Sequence, residues 1–231
     1  MLPNLFKGFV NLFYPNACAA CGNDLVRGEE ALCLICLYKL PRTRFWNEPN
    51  NAVAQTFWGR VTIENACAYF FFSKGSSYQQ LLHKLKYDGH KSIGVALGKQ
   101  LGAVLAQSEL YSHIDYVVPV PLHPRKLRIR GYNQAEVIAQ GVCEAYNAKL
   151  LTNVLVRTEF TQTQTRKTRE ERARNVAQAF AVSAPAKLSQ KHILLIDDVI
   201  TTGATLEACA NKLLTAADCK VSLAALAYAA G

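Results

Sequence analysis

The sequence has no apolar run of the roughly 18 to 20 residues that a membrane-spanning helix needs. It also lacks the order of a secretory signal peptide. Lys7 stands inside the apolar residues 2–13, and Tyr14 and Pro15 follow where a small-residue cleavage site would stand. We expect residues 1–14 to form a short amphipathic helix that Pro15 ends and that packs on the rest of the protein. The compartment predicted from these absences is the cytoplasm.

Acidic residues are few: 17 Asp and Glu face 26 Lys and Arg, for a formal net charge of +9. The excess is local, because residues 121–174 hold eleven basic against five acidic side chains, whereas residues 175–231 hold four of each. Such a stretch suggests a polyanionic ligand or partner, and a solvated basic face is the alternative. With half of its 231 residues apolar, the chain has room for one α/β domain and a small appendage.

Four of the eight cysteines follow a metal-site spacing. Cys18, Cys21, Cys33 and Cys36 form two Cys-x2-Cys pairs eleven residues apart, and four thiolates so arranged can close a tetrahedron on one zinc ion. Two disulfides are the competing interpretation, which a reducing compartment disfavours. Four protein ligands leave no open position, so the zinc would be structural. We place an N-terminal helix and zinc-binding subdomain at residues 1–50 and the main domain at residues 51–231.

Residues 193–205 read as a buried strand, a carboxylate pair and a Thr/Gly loop that leads into a helix. At such a junction the loop N–H groups and the helix dipole both favour an anion. The carboxylates of Asp197 and Asp198 only accept hydrogen bonds, so they should meet hydroxyls or a metal. A sugar phosphate would supply both an anion for the loop and hydroxyl groups for the carboxylates. The alternative is an ordinary turn with Asp198 or Thr202 as a helix cap.

A second strand, predicted over residues 115–120, leads into a Pro/Gly loop that carries four cations, and a helix is predicted from about Ala135. The cations of this loop suit a pyrophosphate. Residues 157–180 are basic with few apolar anchors, which predicts a mobile loop leading into a strand near residues 179–182. A solvated helix with charge pairs is the alternative.

The segment at residues 193–205 resembles the ribose-5-phosphate motif of type I phosphoribosyltransferases, which use phosphoribosyl pyrophosphate (PRPP) and magnesium. The ordered set of the four-cysteine knuckle, Leu85-Lys86-Tyr87-Asp88-Gly89, Arg130-Gly131-Tyr132-Asn133-Gln134 and the Asp-Asp/Thr-Thr-Gly loop is similar to the ComF and GntX group of competence-associated phosphoribosyltransferase-like proteins. This resemblance covers nearly the whole chain and implies a parallel sheet flanked by helices.

The resemblance implies a role for each matching residue. Asp197 and Asp198 would hold the ribose hydroxyls, and the predicted PRPP-binding residues are Asp197, Asp198, Thr201, Thr202, Gly203, Ala204, Thr205 and Arg130. The predicted catalytic residues are Asp197, Asp198, Arg166 and Lys167. The residues predicted to contact single-stranded DNA are Lys84, Lys86, Arg125, Lys126, Arg128 and Tyr132, with Tyr132 or Tyr87 stacking a base.

Two functions follow from these assignments. The first is a PRPP-binding protein of DNA uptake and natural transformation that binds single-stranded DNA and has competence-machinery proteins as candidate partners. The second is an active phosphoribosyltransferase of nucleotide metabolism whose small-molecule acceptor the sequence leaves open. Both use magnesium with PRPP and structural zinc.

Overall fold

A computed structural model describes residues 17–73, 75–157 and 179–229, so the helix predicted in residues 1–14 lies outside the described residues. The described helices are α1 Leu34–Tyr38, α2 Ala52–Gln55, α3 Ser77–Tyr87, α4 Lys91–Ala106, α5 Pro124–Arg130, α6 Gln134–Tyr146 and α7 Ala204–Ala216. The described strands are β1 Ala66–Phe71, β2 Tyr116–Pro119, β3 Lys149–Leu150, β4 Leu155–Arg157, β5 Phe180–Val182, β6 His192–Ile200 and β7 Lys220–Tyr228. Short 3-10 turns lie at Phe45–Asn47, Glu109–Tyr111 and Pro185–Lys187.

Five strands form a parallel sheet in the order β1-β7-β6-β2-β3, and β4 and β5 form a separate antiparallel pair. Neighbouring parallel strands need helical crossovers, which α3 to α7 supply. The predicted parallel sheet flanked by helices is confirmed. Among the described residues, no helix combines the length and apolar character needed to cross a membrane.

The central strand β6 is buried on both faces, as expected for a parallel sheet covered by helices. Leu194 and Ile196 point into a core that α3, α4 and α6 complete, while Ile193 and Leu195 point into the opposite core with α7 and the β4-β5 pair. The cysteine knuckle adds buried side chains to the first of these cores, namely Cys18, Leu32, Cys33 and Leu40.

The segment after β2 is a helix and not the predicted loop. Pro124 occupies the first turn of α5, and His123 Nδ1 accepts a hydrogen bond from the Arg125 N–H at 3.1 Å. Gly131, at φ +74°, ends the helix in the left-handed conformation. A proline at the start and a glycine just past the end are ordinary helix boundaries. The sequence interpretation treated the same two residues as loop markers.

Candidate functional site

The acidic pair lies within β6 and not after it. The sequence predicted that the strand would end before Asp197, but pairing with β7 continues to Ile200. On its other side β6 pairs with β2 only as far as Ile196, which faces Pro119. Asp197 and Asp198 therefore lie beyond the end of β2, at the carboxyl edge of the sheet. Ligands bind at this edge in open parallel sheets.

The carboxyl group of Asp197 is held in an unfavourable environment for its charge. Burial raises its pKa to about 7, and the neighbouring charge of Asp198 acts in the same direction. The Asp198 N–H donates to Asp197 Oδ1 at 2.8 Å, and the cations of Lys86 and Arg157 also favour ionisation. These stabilising contacts are weaker than the burial, so the pKa of Asp197 is raised overall.

Two cations from distant parts of the chain offset part of the negative charge of Asp197 and Asp198. The ammonium group of Lys86, at the end of α3, lies 2.9 Å from Asp198 Oδ2. Its predicted role in binding nucleic acid stays a prediction, and in this structure the ion pair directs its ammonium group toward the acidic pair. Arg157 ends β4, with its guanidinium 5.2 Å from the centre of the Phe180 ring. Its buried Nε has no hydrogen-bond partner among the described residues, and burial lowers the pKa of Arg157.

The Thr/Gly loop follows directly and begins α7. Thr201 and Thr202 are exposed, Gly203 is the N-cap residue at φ +72°, and Ala204 and Thr205 form the first turn. Gly203 offers no side-chain cap, so the first N–H groups of α7 remain suited to an anion. This geometry fits the predicted phosphate cradle.

The loop rests on the segment that follows α2, which the sequence analysis did not connect with the site. A Cβ atom at Gly203 would lie 2.8 Å from Phe57 Cε1, so only glycine fits against that ring. The Arg60 guanidinium donates to the Thr202 carbonyl at 2.9 Å and forms an ion pair with Glu207 on α7. Phe57 and Arg60 therefore fix the loop from beneath, across a separation of more than a hundred residues.

The Arg130–Gln134 motif builds the neighbouring wall. Arg130 donates to Gln134 Oε1 at 2.7 Å, and its guanidinium lies 5.0 Å from the centre of the Tyr87 ring. Asn133 caps α6 through the Ala135 N–H and donates to the Val120 carbonyl at 2.9 Å. Tyr87 is the residue after Lys86, so the motif and the acidic pair meet through the last turn of α3.

Two other residues predicted to bind nucleic acid have structural contacts instead. Tyr132 is 8% exposed and donates its hydroxyl hydrogen to the Leu85 carbonyl, so its ring is not available to stack a base. Lys84 donates to the Ala19 carbonyl at 2.8 Å, which ties α3 to the cysteine knuckle. Both assignments to nucleic acid stay predictions, and in this structure the two side chains hold α3 in place.

The remaining predicted cations lie on α5. Arg125, Lys126 and Arg128 are exposed, as are Leu127 and Ile129 between them. This short helix therefore presents charge and apolar surface together. Arg166 and Lys167, predicted to be catalytic, lie outside the described residues, as does most of the basic stretch 157–180.

The four knuckle cysteines converge as their spacing predicted. Their sulfur atoms all lie within 4.8 Å of one another, and Cys21 Sγ and Cys33 Sγ are 3.8 Å apart. A tetrahedron with metal–sulfur bonds of about 2.3 Å has edges of about 3.8 Å. Against the effect of burial, N–H donors that include Cys33 lower the pKa of Cys18 to about 6, whereas burial and the neighbouring thiols raise the pKa of Cys36. The support for a metal site is therefore the geometry of the four sulfur atoms. The cluster is therefore suited to hold a metal ion.

Comparisons with known proteins agree with this geometry. Residues 130–231 match the family described as "Phosphoribosyl transferase domain". The DNA utilization protein YhgH of Escherichia coli (strain K12) is 30% identical over 137 residues, 58% of this chain and 60% of that protein. Competence protein F of Haemophilus influenzae is 33% identical over 93 residues, 40% of this chain and 41% of that protein.

Among solved structures, the glutamine PRPP amidotransferase from B. subtilis is 20% identical, with a TM-score of 0.42 over 61% of this chain and 29% of that one. That similarity carries no argument about activity. The sheet order and the family match together define a protein with the type I phosphoribosyltransferase fold. Within that class the chain is similar to YhgH and to competence protein F, and it spans less than two thirds of the length of either relative.

Proposed function

We propose that this protein binds PRPP with magnesium and acts in DNA uptake or utilization by binding single-stranded DNA. The proposal is carried by one observation: three sequence motifs meet at Asp198, where Lys86 forms its ion pair and the adjacent Tyr87 packs on Arg130. The names of the relatives add the link to DNA, although the matched region spans only 60% of the length of YhgH.

In this proposal each part of PRPP has a matching group. The ribose hydroxyls donate to Asp197 and Asp198, and the 5-phosphate accepts from the N–H groups of residues 201–205 at the start of α7. The pyrophosphate lies toward Lys86 and Arg130, with Arg166 and Lys167 as predicted further contacts. Magnesium accompanies the pyrophosphate and offsets its charge. Lys86 would then leave its ion pair with Asp198 and pair with the more negative ligand.

Calorimetric titration with PRPP and magnesium tests this site. Wild type should bind, and Asp197→Asn/Asp198→Asn should bind at least about tenfold more weakly, because two hydrogen bonds to charged acceptors are lost. Asp115→Asn is the matched control, since Asp115 lies at the amino edge of the sheet beside Lys191 and His192. Failure of wild type to bind PRPP would remove the basis of the proposal.

Binding of single-stranded DNA is proposed for α5, because this helix exposes Arg125, Lys126 and Arg128. Fluorescence anisotropy with a labelled oligonucleotide should show an affinity that falls with salt, with a log-log slope of about 0.7 for each neutralised phosphate. Arg125→Ala/Lys126→Ala should weaken binding and flatten that slope. Lys149→Ala/Lys187→Ala removes two exposed cations elsewhere and should change neither. Equal slopes in the two variants would contradict the role of α5.

The remaining assignments are proposals of the same kind. We assign zinc to the cysteine cluster, the cytoplasm as the compartment, and a boundary between the two structural units near residue 50. The alternative function is transfer of the phosphoribosyl group to an unidentified acceptor. Release of pyrophosphate from PRPP in the presence of candidate acceptors would favour that enzyme, and binding without release would favour the PRPP-binding protein.

A further inference from the structure

Trp58 is an exposed tryptophan in a protein with two. Its residue surface is 61% exposed, whereas Trp46 is 8% exposed. Tryptophan is among the more buried residue types on average, so an indole in water needs a reason. One recurrent reason is a stacking platform, because the flat ring can contact any base of a single strand.

The backbone around Trp58 is well fixed. The N–H groups of Phe57, Trp58 and Arg60 donate to the carbonyls of Ala54, Gln55 and Phe57 at 3.0, 3.3 and 3.1 Å. The Phe57 side chain is fully buried. The indole is therefore displayed on an ordered turn, which lowers the conformational entropy that a ligand would have to remove.

This turn lies against the proposed phosphate loop. The residue before Trp58 contacts Gly203 with its ring, and Arg60, two residues after, donates to the Thr202 carbonyl. Consecutive Cα atoms are about 3.8 Å apart, so Trp58 stands within a few residues' reach of the loop. The Arg60 guanidinium is already bound to Thr202 and Glu207. The surface around Trp58 is therefore aromatic and carries little free charge.

The aromatic residues that the sequence suggested for stacking both pack against other parts of the protein, although Tyr87 is 59% exposed. Tyr132 is buried, and the Tyr87 ring packs with His83 at 4.7 Å between centroids and with the Arg130 guanidinium. The α5 helix supplies cations and no aromatic ring. Phosphate contacts and base contacts would thus come from different segments of the chain.

We propose that Trp58 stacks on a base of single-stranded DNA. The inference rests on the DNA binding proposed above and adds the residue that contacts a base. Stacking on a neutral ring releases no counterion. The proposal therefore predicts that substitution of Trp58 lowers the affinity for DNA and leaves the salt dependence of that affinity unchanged.

The test uses the full chain and an oligo(dT) probe. Wild-type tryptophan emission should be quenched on binding, and Trp58→Phe should abolish that quenching while keeping part of the affinity. Trp58→Ala should bind about 5- to 100-fold more weakly, as expected for the loss of one stacked base. Its log-log salt slope should stay parallel to that of wild type, in contrast to Arg125→Ala/Lys126→Ala.

The outcomes separate this inference from the proposal that it extends. Wild-type affinity and undiminished quenching in the Trp58 variants would overturn the role of Trp58 and leave DNA binding by α5 intact. A loss of affinity together with a lowered melting temperature would assign Trp58 a structural role and also overturn it. Absence of any binding by wild type would overturn both proposals.

Discussion

Asp197→Asn should stabilise the protein above pH 7 when PRPP and magnesium are left out of the buffer. In the unfolded chain this carboxyl group loses its proton near its ordinary pKa of 3.8, whereas in the folded protein its pKa is raised to about 7. Ionisation of this group therefore stabilises the unfolded state between pH 4 and 7, whereas the folded state keeps the proton and is not stabilised in this way. Wild type loses stability over that window as pH rises, and an asparagine avoids the loss.

The magnitude follows from the same pKa. A rise from 3.8 to about 7 corresponds to at most about 4 kcal/mol at about 1.4 kcal/mol per tenfold change in the proton equilibrium. The amide oxygen of asparagine can still accept from the Asp198 N–H, but Lys86 and Arg157 lose a nearby negative charge. We therefore expect a net gain of about 2 kcal/mol, or about 4 to 8 °C in melting temperature for a chain of this size.

Thermal melts of both proteins in magnesium-free buffer at pH 4.5, 6 and 8 measure the effect. The difference should be small at pH 4.5 and largest at pH 8. Asp115→Asn is the control of opposite sign, because the His192 N–H and then Lys191 lower the pKa of Asp115, so its charge stabilises the folded state. If Asp197→Asn melts at or below the wild-type temperature at pH 8 while Asp115→Asn is destabilised, the reasoning about Asp197 is refuted.

Three further results are expected. Gly203→Ala should destabilise the protein and weaken PRPP binding, whereas Gly89→Ala, which has the same positive φ and open space around it, should cost only the conformational strain of about 1 kcal/mol; equal melting temperatures for the two variants would contradict the Phe57 contact. Removal of the metal proposed for the cysteine cluster, followed by titration with PRPP in restored excess magnesium, should weaken PRPP binding, and Lys84→Met should reduce that dependence; unchanged binding after this treatment would refute the link through α3. PRPP binding at pH 6 should release protons, detectable as a buffer-dependent heat that vanishes at pH 8.5; a heat independent of the buffer would count against it.

The strand-loop-helix segment could be predicted from sequence because its parts are local. Apolar residues, two aspartates and a Thr/Gly loop follow one another within residues 193–205, and the structure keeps them in that order. The strand extended past Asp197 because β7 continues beside it to Tyr228. The length of a neighbouring strand is a tertiary property, which the pattern within β6 does not contain.

The residues that surround the pair could not be assigned in this way. Three cations from different parts of the chain act on this region: Arg60 on the Thr202 carbonyl, Lys86 on Asp198 and Arg157 on Asp197. Each of these interactions joins positions that the chain brings together only on folding. The local pattern indicated that Lys84 and Lys86 were cations on one helix. It could not separate them, although they face different partners: Lys84 reaches the Ala19 carbonyl and Lys86 reaches Asp198.

This arrangement explains how an unfavourable pair can persist. Two adjacent carboxylates with one of them buried cost stability, and Lys86 offsets part of that cost through its contact with Asp198. A ligand that brings hydroxyl donors and a divalent cation would satisfy the carboxylates and free Lys86 for the ligand's own phosphates. The ligand proposed for this site would therefore relieve the strain of the acidic pair. Lys86, on the helix that also contacts the cysteine knuckle, is the side chain through which that change would reach the rest of the protein.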